Sequence, residues 1–98
     1  MRETTQTIHE WAVQTFGVSP SNLRKAIRVN TEMAELLTKL TLDDNDQNAI
    51  GEAADICIVL HTLVAQLGGD LDSAVQIKMA INRAREWVLD GSGCGQHK

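Results

Sequence analysis

The sequence has few of the residues that stiffen or cross-link a small domain. Its 98 residues include one proline, two cysteines, two tryptophans, one phenylalanine and no tyrosine. Cys57 and Cys94 are too far apart to form a zinc-type Cys-x-x-Cys pair, and two cysteines do not make a disulfide framework. The cysteine content therefore fits a cytoplasmic protein.

Positive charge and long apolar runs are also scarce. The net charge is −4 and the pI is near 5.2, which argues against a partner bound by neutralising many phosphates, such as duplex nucleic acid. No apolar run approaches the roughly 20 residues that span a bilayer, and the N-terminus lacks the pattern of a signal peptide. We therefore expect a cytoplasmic protein that binds no membrane.

Apolar residues recur at helical spacing along almost the whole chain, and no alternating run typical of a strand is present. Capping residues, glycines and the proline divide this pattern into four helices. We predict helices at about 4–16, 20–40 and 47–67, and a fourth from 71 until Gly91 ends it; the last three are capped by Ser19, an Asp of the LDDNDQN segment and Asp70. Short connections favour an antiparallel four-helix bundle.

The size of the chain predicts one domain that associates with further copies. A content of 43% hydrophobic and 22% charged residues is typical of one globular domain. A domain this small buries a modest fraction of its surface, so oligomerisation is a way to complete its core. We predict a single all-α domain over residues 1–90 and a flexible glycine-rich tail over residues 91–98.

Two pairs of acidic residues repeat one spacing on neighbouring predicted helices. Glu32 and Glu35 lie three residues apart in TEMAELL, and Glu52 and Asp55 lie three residues apart in EAADICIVL. Residues three apart share one face of a helix. Each predicted helix therefore presents a pair of carboxylates on one face.

The third helix gives its acids no counter-charge. Most of its circumference is apolar, so Glu52 and Asp55 occupy a narrow polar stripe, and no Lys or Arg lies between Lys39 and Lys78. Buried acids seldom remain unpaired. A cation from elsewhere is therefore expected beside them, whereas His61 points away from this stripe and is expected to lie in the core or at a subunit contact.

The acids of the second helix allow two interpretations. Arg28 and Lys39 lie four residues from Glu32 and Glu35, so local salt bridges on a solvated face would explain the pattern. If the two acidic pairs instead face each other at about 6 Å, each like-charge contact costs roughly 3 kcal/mol. A hard cation with oxygen ligands, Mg²⁺ or Mn²⁺, would then be required.

Two further groups have both a functional and a structural interpretation. Lys78, Asn82 and Arg85 form one stripe of the fourth helix, where they either grip phosphate oxygens or form a solvated edge with salt bridges. His9 lies close to Trp11 in sequence and either lines a pocket with it or belongs to the core.

The ordered set of motifs resembles the MazG-like branch of the all-α nucleoside triphosphate pyrophosphohydrolases. The resemblance extends from the helix containing Trp11 through TEMAELL and EAADICIVL, whose acidic pairs are separated by sixteen residues, to KMAINRAREW. It covers nearly the whole chain. In one departure, Thr31 stands where the family often has an additional acid.

The resemblance implies roles for the residues singled out above. The acids Glu32, Glu35, Glu52 and Asp55 would be the catalytic and metal-binding residues, holding Mg²⁺ with Mn²⁺ as a substitute. The substrate-binding residues would be Lys78, Asn82 and Arg85 at the phosphates, with Trp11 and His9 near the base. Glu35 is one candidate for the base that accepts a proton from water.

The resemblance also implies an activity and an assembly. The expected reaction converts a (deoxy)nucleoside triphosphate to the monophosphate and pyrophosphate, with a house-cleaning role against unwanted nucleotides. Helices from two chains would complete the bundle in a homodimer or homotetramer. Two alternatives stay open: a phosphoribosyl-ATP pyrophosphatase activity, and a non-enzymatic helical module for oligomerisation or regulation.

Overall fold

Four helices make up most of the computed structural model, which describes residues 2–97. They are α1 (Thr5–Phe16), α2 (Asn22–Leu42), α3 (Asn48–Gln66) and α4 (Leu71–Ala84). The chain then forms two short antiparallel strands, β1 (Trp87–Val88) and β2 (Gln96–His97). The predicted all-α fold class is confirmed.

Local hydrogen bonds explain where the first and last helices begin. The Thr4 hydroxyl accepts the Thr7 backbone N–H at 3.2 Å, while the Thr7 hydroxyl accepts that of Thr4 at 2.8 Å, which completes a capping box. The Asp70 carboxylate accepts the Ser73 N–H at 2.9 Å, as predicted for α4. Hydrogen bonds from Ser73 also lower the pKa of Asp70 below its usual value.

The two middle helices begin in slightly different ways from those predicted. The assignment of Ser19 as the cap of α2 is wrong: Ser21, in an extended conformation, accepts the Arg24 N–H at 3.1 Å. Ser19 instead donates its hydroxyl to the Ser21 carbonyl. The prediction that an Asp is the N-cap of α3 is also wrong, because Gln47 occupies that position without a side-chain cap hydrogen bond; Asp46 nevertheless accepts the Asn48 N–H at 2.9 Å.

The fourth helix is shorter than predicted. We expected it to continue until Gly91, but it ends at Ala84. The residues that follow pair with a segment nearly ten positions later, and Gly91 between them has a φ of 85°, which favours glycine. The flexibility expected for residues 91–98 stays a prediction.

Helix α3 is the central element, since it packs against α1, α2 and α4. By length and composition alone it is also long and apolar enough to cross a membrane, so the expectation that no segment reaches that length is wrong. The core helix of a soluble protein can have the same length and apolar composition. Helix α3 also carries Glu52 and Asp55 and contacts three other helices. The absence of a membrane partner stays a prediction.

A single chain leaves much of its apolar surface uncovered. Within residues 2–97, Ala12 and Ile56 are the apolar residues in the buried class. The radius of gyration is 15.8 Å, whereas a compact domain of this length has a value of about 13 Å. The helices are therefore arranged more openly than in a self-contained bundle.

A buried threonine joins three of the helices. Thr5, 2% exposed, lies 2.7 Å through its hydroxyl from Nδ1 of His61 on α3 and accepts the Leu71 N–H at the start of α4 at 3.0 Å. His61 is thus held in packing between helices, as predicted. The Thr5 hydroxyl thus provides a hydrogen-bond partner for a side chain of α3 and for a backbone amide of α4.

Replacing Thr5 tests the contribution of this contact to stability. Thr5→Val keeps the shape but leaves the Leu71 N–H and His61 without their partner, so we expect a loss of about 1–3 kcal/mol in the free energy of unfolding. Urea unfolding at fixed protein concentration measures it. Thr38→Val is the control, because that exposed hydroxyl contacts only its own helix; equal effects of both variants would contradict the prediction.

Candidate metal centre and adjoining pocket

Three carboxylates meet where α2 packs against α3. Glu32 on α2 and Glu52 and Asp55 on α3 each place one oxygen within 4.8 Å of the others. Glu32 is 7% exposed although it carries a charge. The structure therefore brings together three of the four predicted acids.

Two cations from α2 offset part of this negative charge. The Arg28 guanidinium lies 2.8 Å from Glu32, as its spacing predicted, and the Lys39 ammonium lies 3.8 Å from Glu52. Among the described residues, Asp55 has no ion pair. The cluster thus combines three acids with two cations, and the longer contact is a weak one.

Glu35 lies outside the cluster. Its side chain is exposed, and its expected partner Lys39 reaches across to Glu52 on α3 instead. Glu32 faces α3, whereas the side chain of Glu35 points about 60° away from it around the helix axis, because three residues span about 300° of rotation. Its role as a metal ligand stays a prediction.

The three acids fit a hard divalent cation. Oxygen ligands lie about 2.0–2.6 Å from Mg²⁺ or Ca²⁺, so oxygens around one such ion are at most roughly 4–5 Å apart. The oxygens of Glu32, Glu52 and Asp55 meet that requirement without rearrangement of the helices. Carboxylates without histidine or thiolate are also the donor type that these ions prefer.

A pocket of about 550 Å³ adjoins the acids, within the range of small-molecule sites. Two of the three acids, Glu32 and Asp55, are among its lining residues. The remaining lining residues include three cations of α2, an apolar wall from α3 and two aromatic residues: Arg24, Lys25, Arg28, Ile58, Val59, Trp11 and Phe16. The pocket therefore combines acidic, cationic and apolar side chains.

The predicted aromatic residue Trp11 does line this pocket. Its ring meets that of Phe16 edge to face, with centroids 5.5 Å apart, an arrangement that aromatic pairs favour. Both rings remain more than half exposed. His9 is not among the lining residues, and its Nδ1 is buried without a hydrogen-bond partner in the described part of the chain; its predicted role stays a prediction.

Sequence reasoning missed Lys25. Its ammonium donates to the Thr62 hydroxyl at 2.9 Å, and partial burial lowers its pKa below the usual value because the charged form loses water. Lys25, Arg28 and Glu32 follow one another at i, i+3 and i+7, a helical spacing that places them on one face. This spacing is the feature of the sequence from which Lys25 could have been placed beside Glu32.

The predicted phosphate-binding residues of α4 lie elsewhere in the single chain. Lys78, Asn82 and Arg85 are not among the residues that line the pocket beside the acids. The Asn82 carbonyl accepts the Trp87 indole N–H at 2.9 Å, and both residues line a second concavity formed with the glycine-rich segment. Their contact with phosphates stays a prediction.

Comparisons with known proteins agree with the geometry of this site. No protein-family model matches the chain. It is 37% identical over 91 residues to a dATP/dGTP diphosphohydrolase of Salmonella phage PMBT28, covering 92% of this chain and 29% of that protein. It is 33% identical over 66 residues to a dATP/dGTP diphosphohydrolase of Cyanophage S-2L, covering 67% of this chain and 62% of that protein.

A solved structure resembles the whole fold. It is the Cyanophage S-2L MazG-like pyrophosphohydrolase bound to dGDP and three catalytic Mn²⁺ ions per active site, with a TM-score of 0.73 and 26% identity, covering 96% of this chain and 92% of that one. The chain belongs to the MazG-like family. The family assignment made from the sequence motifs is thereby confirmed.

The MazG-like chain spans less than two thirds of the length of both curated relatives, 29% of one and 62% of the other. The similarity therefore establishes the family of the segment that is matched. The activity, substrates and partners of the protein are argued separately below.

Removing one acid tests the metal centre. Oxygens within 4.8 Å of each other repel by about 1–3 kcal/mol per charged pair, depending on the effective dielectric constant. Asp55→Asn should therefore raise the free energy of unfolding in EDTA by about 1 kcal/mol. It should also reduce the increase in melting temperature that Mg²⁺ or Mn²⁺ produces.

Thermal melts with EDTA, Mg²⁺ or Mn²⁺ measure both effects. Asp44→Asn is the matched control, because this exposed loop residue lies outside the cluster. Glu35→Gln, measured in parallel, reports whether the fourth predicted acid joins the ion. An Asp55→Asn protein that keeps the full metal-dependent shift would rule out Asp55 as a ligand.

Proposed function

We propose that this MazG-like chain is a nucleotide pyrophosphohydrolase that converts deoxynucleoside triphosphates to monophosphates and pyrophosphate. The observation that carries the proposal is a cluster of three acids, two of which line a pocket that two aromatic rings also line. A nucleotide offers matching groups, a polyanionic triphosphate and a planar aromatic base that can stack on such rings. The dATP/dGTP diphosphohydrolase names of both curated relatives favour purine deoxynucleotides as substrates.

The carboxylates of Glu32, Glu52 and Asp55 would hold the divalent cation, either Mg²⁺ or Mn²⁺; the Mn²⁺ ions of the Cyanophage S-2L structure support the use of a divalent metal. When bound, such an ion neutralises phosphate charge, activates water and stabilises a leaving pyrophosphate. Glu35, one turn along α2 and exposed to solvent, is the candidate acceptor of the proton from water.

Arg28, a cation that lines the pocket, has a role in binding the phosphates. Its side chain is 65% exposed while it pairs with Glu32. A guanidinium carries five N–H donors, so Arg28 can contact Glu32 and still donate to a phosphate oxygen. This would help an acidic protein to accept a polyanionic substrate.

The alternatives predicted from the sequence make different demands on the same site. Phosphoribosyl-ATP also presents a triphosphate and a purine, so the pocket alone does not separate it from a deoxynucleotide. A non-enzymatic module would need neither the three neighbouring acids nor the aromatic rings of Trp11 and Phe16 in the pocket. A house-cleaning role and a cytoplasmic location remain parts of the proposal.

An activity panel tests the proposed reaction. We expect the protein with Mg²⁺ or Mn²⁺ to release pyrophosphate and the monophosphate from dGTP and dATP, and EDTA to abolish this release. Glu52→Gln should lower the rate about 100-fold, because losing roughly 3 kcal/mol of transition-state stabilisation has that effect. Chromatography of the products measures both.

Glu10→Gln is the control, since this exposed residue of α1 bonds only to Gln6 of its own helix in the described structure. Faster turnover of phosphoribosyl-ATP than of any deoxynucleotide would favour the second activity. No turnover of either substrate would favour the non-enzymatic module.

The exposed surface supports a homo-oligomer as part of the same proposal. The single chain has an accessible surface of 7434 Å², whereas a compact monomer of 10.7 kDa exposes about 5,500 Å². The difference is of the size that each chain contributes to an obligate homodimer interface, about 1,000–2,500 Å². Exposed apolar residues such as Leu37 on α2 and Ile50 on α3 are candidates for that interface.

Sedimentation measures the assembly. We expect at least a dimer at micromolar concentration and a shift towards the monomer in Leu37→Gln, because the new amide would be buried without a partner at the interface. Leucine and glutamine have similar helix propensities, so the monomer itself should be little affected. Leu89→Gln is the control, since Leu89 is 90% exposed outside the helices; a monomeric wild type would refute the proposal.

A further inference from the structure

Lys25 and Thr62 form a polar pair that lines the pocket, each about two helix turns from an acid on its own helix. Thr62, only 3% exposed, donates its hydroxyl to the Val59 carbonyl at 2.7 Å and accepts the Lys25 ammonium at 2.9 Å. Because its only proton is already used, the Thr62 hydroxyl fixes the lysine and cannot itself donate to a ligand. The donor that the pair offers is therefore the ammonium of Lys25.

The ammonium of Lys25 has no carboxylate partner within residues 2–97, where the ion pairs join Arg28 to Glu32 and Lys39 to Glu52. An ammonium carries three N–H donors, and one of them is used by Thr62. Keeping a partly buried cation beside apolar side chains is costly unless it gains further hydrogen bonds. The free donors of Lys25 therefore suit an acceptor on a ligand in the pocket.

The position of the pair indicates which part of a nucleotide it would meet. Lys25 lies seven residues from Glu32 along α2, and Thr62 lies seven residues from Asp55 along α3. Seven residues correspond to about 10.5 Å of helix, comparable to the distance from the α-phosphate of a nucleotide to the far edge of its base. Phosphates held at the acids would therefore place the base, not the phosphates, beside Lys25.

We propose that Lys25, held by Thr62, is a specificity-determining residue that donates hydrogen bonds to the adjacent O6 and N7 acceptors of guanine. The proposal rests on the proposed function, because it takes the acid cluster as the phosphate end of the site. Lysine commonly recognises this pair of acceptors. Adenine presents an N6 amino group in place of O6 and is a poorer match, so Lys25 favours deoxyguanosine over deoxyadenosine nucleotides.

Equilibrium binding with altered bases tests this assignment without turnover. Isothermal titration with Mn²⁺ would compare dGDP, dIDP, 7-deaza-dGDP and dADP, of which the first two retain both acceptors. A hydrogen bond to a charged group contributes about 1.5–3 kcal/mol, so the wild type should bind dGDP and dIDP at least about tenfold more tightly than the other two. In Lys25→Met, these ratios should fall to near one.

The ratio within one variant does not depend on how much of that protein is folded, so a purely structural effect of Lys25→Met would leave it unchanged. Arg83→Met on α4 is the control for loss of a cation and should keep the wild-type ratios. Equal weakening of all four ligands in Lys25→Met, unaltered ratios, or a wild type that binds none of them selectively would each overturn the proposal.

Failure of the proposed function would give a different result. The binding ratios require no hydrolysis, so they remain decisive even if no pyrophosphate is released from dGTP. Conversely, pyrophosphate release accompanied by ratios that Lys25→Met does not change would overturn the role of Lys25 while leaving the enzyme in place.

Discussion

The packing of α2 against α3 brings like charges together, and the site depends on how that repulsion is relieved. Three carboxylate oxygens lie within 4.8 Å of one another, and α3 carries no lysine or arginine. The charge compensation therefore comes from α2, where Arg28 pairs with Glu32 of the same helix and Lys39 reaches across the interface to Glu52. Both ion pairs are partly exposed, and Asp55 has none among the described residues. A divalent cation can therefore add stabilisation that the side chains alone do not supply.

The sequence predicted those features that depend on neighbouring residues. Helix periodicity located all four helices, and Asp70 could be recognised as a cap because its partner lies three residues away. The convergence of Glu32 with Glu52 and Asp55 was also predictable, because two acidic pairs on adjacent helices point to one shared site. Ser19 was misassigned because two serines flank the proline and local sequence does not distinguish them.

Features that depend on distant residues were not predictable in this way. Lys25 acquires its significance from Thr62, 37 positions away, and α4 ends early where the following residues pair with a glycine-rich segment. Glu35 shares the sequence motif of Glu32, but about 60° of rotation around α2 separates the buried side chain from the exposed one. Such outcomes depend on how the helices pack.

The open surface of the single chain has a bearing on the α4 residues. Lys78, Asn82 and Arg85 do not line the pocket beside the acids, although their spacing suits phosphate binding. A homo-oligomer that covers the exposed apolar side chains of α2 and α3 also permits residues of one chain to approach the pocket of another. The proposed homo-oligomer would therefore make phosphate binding by Lys78, Asn82 and Arg85 geometrically feasible.

One rigid helix face relates the two ends of the proposed nucleotide site. Lys25, Arg28 and Glu32 lie on the same side of α2, so the distance between the base end and the metal end is set by helix geometry, about 1.5 Å per residue. A functional group held on a regular element is positioned more accurately than one on a loop. Because α3 repeats the spacing with Asp55 and Thr62, a shift of either helix along its axis would disturb base binding and metal binding together.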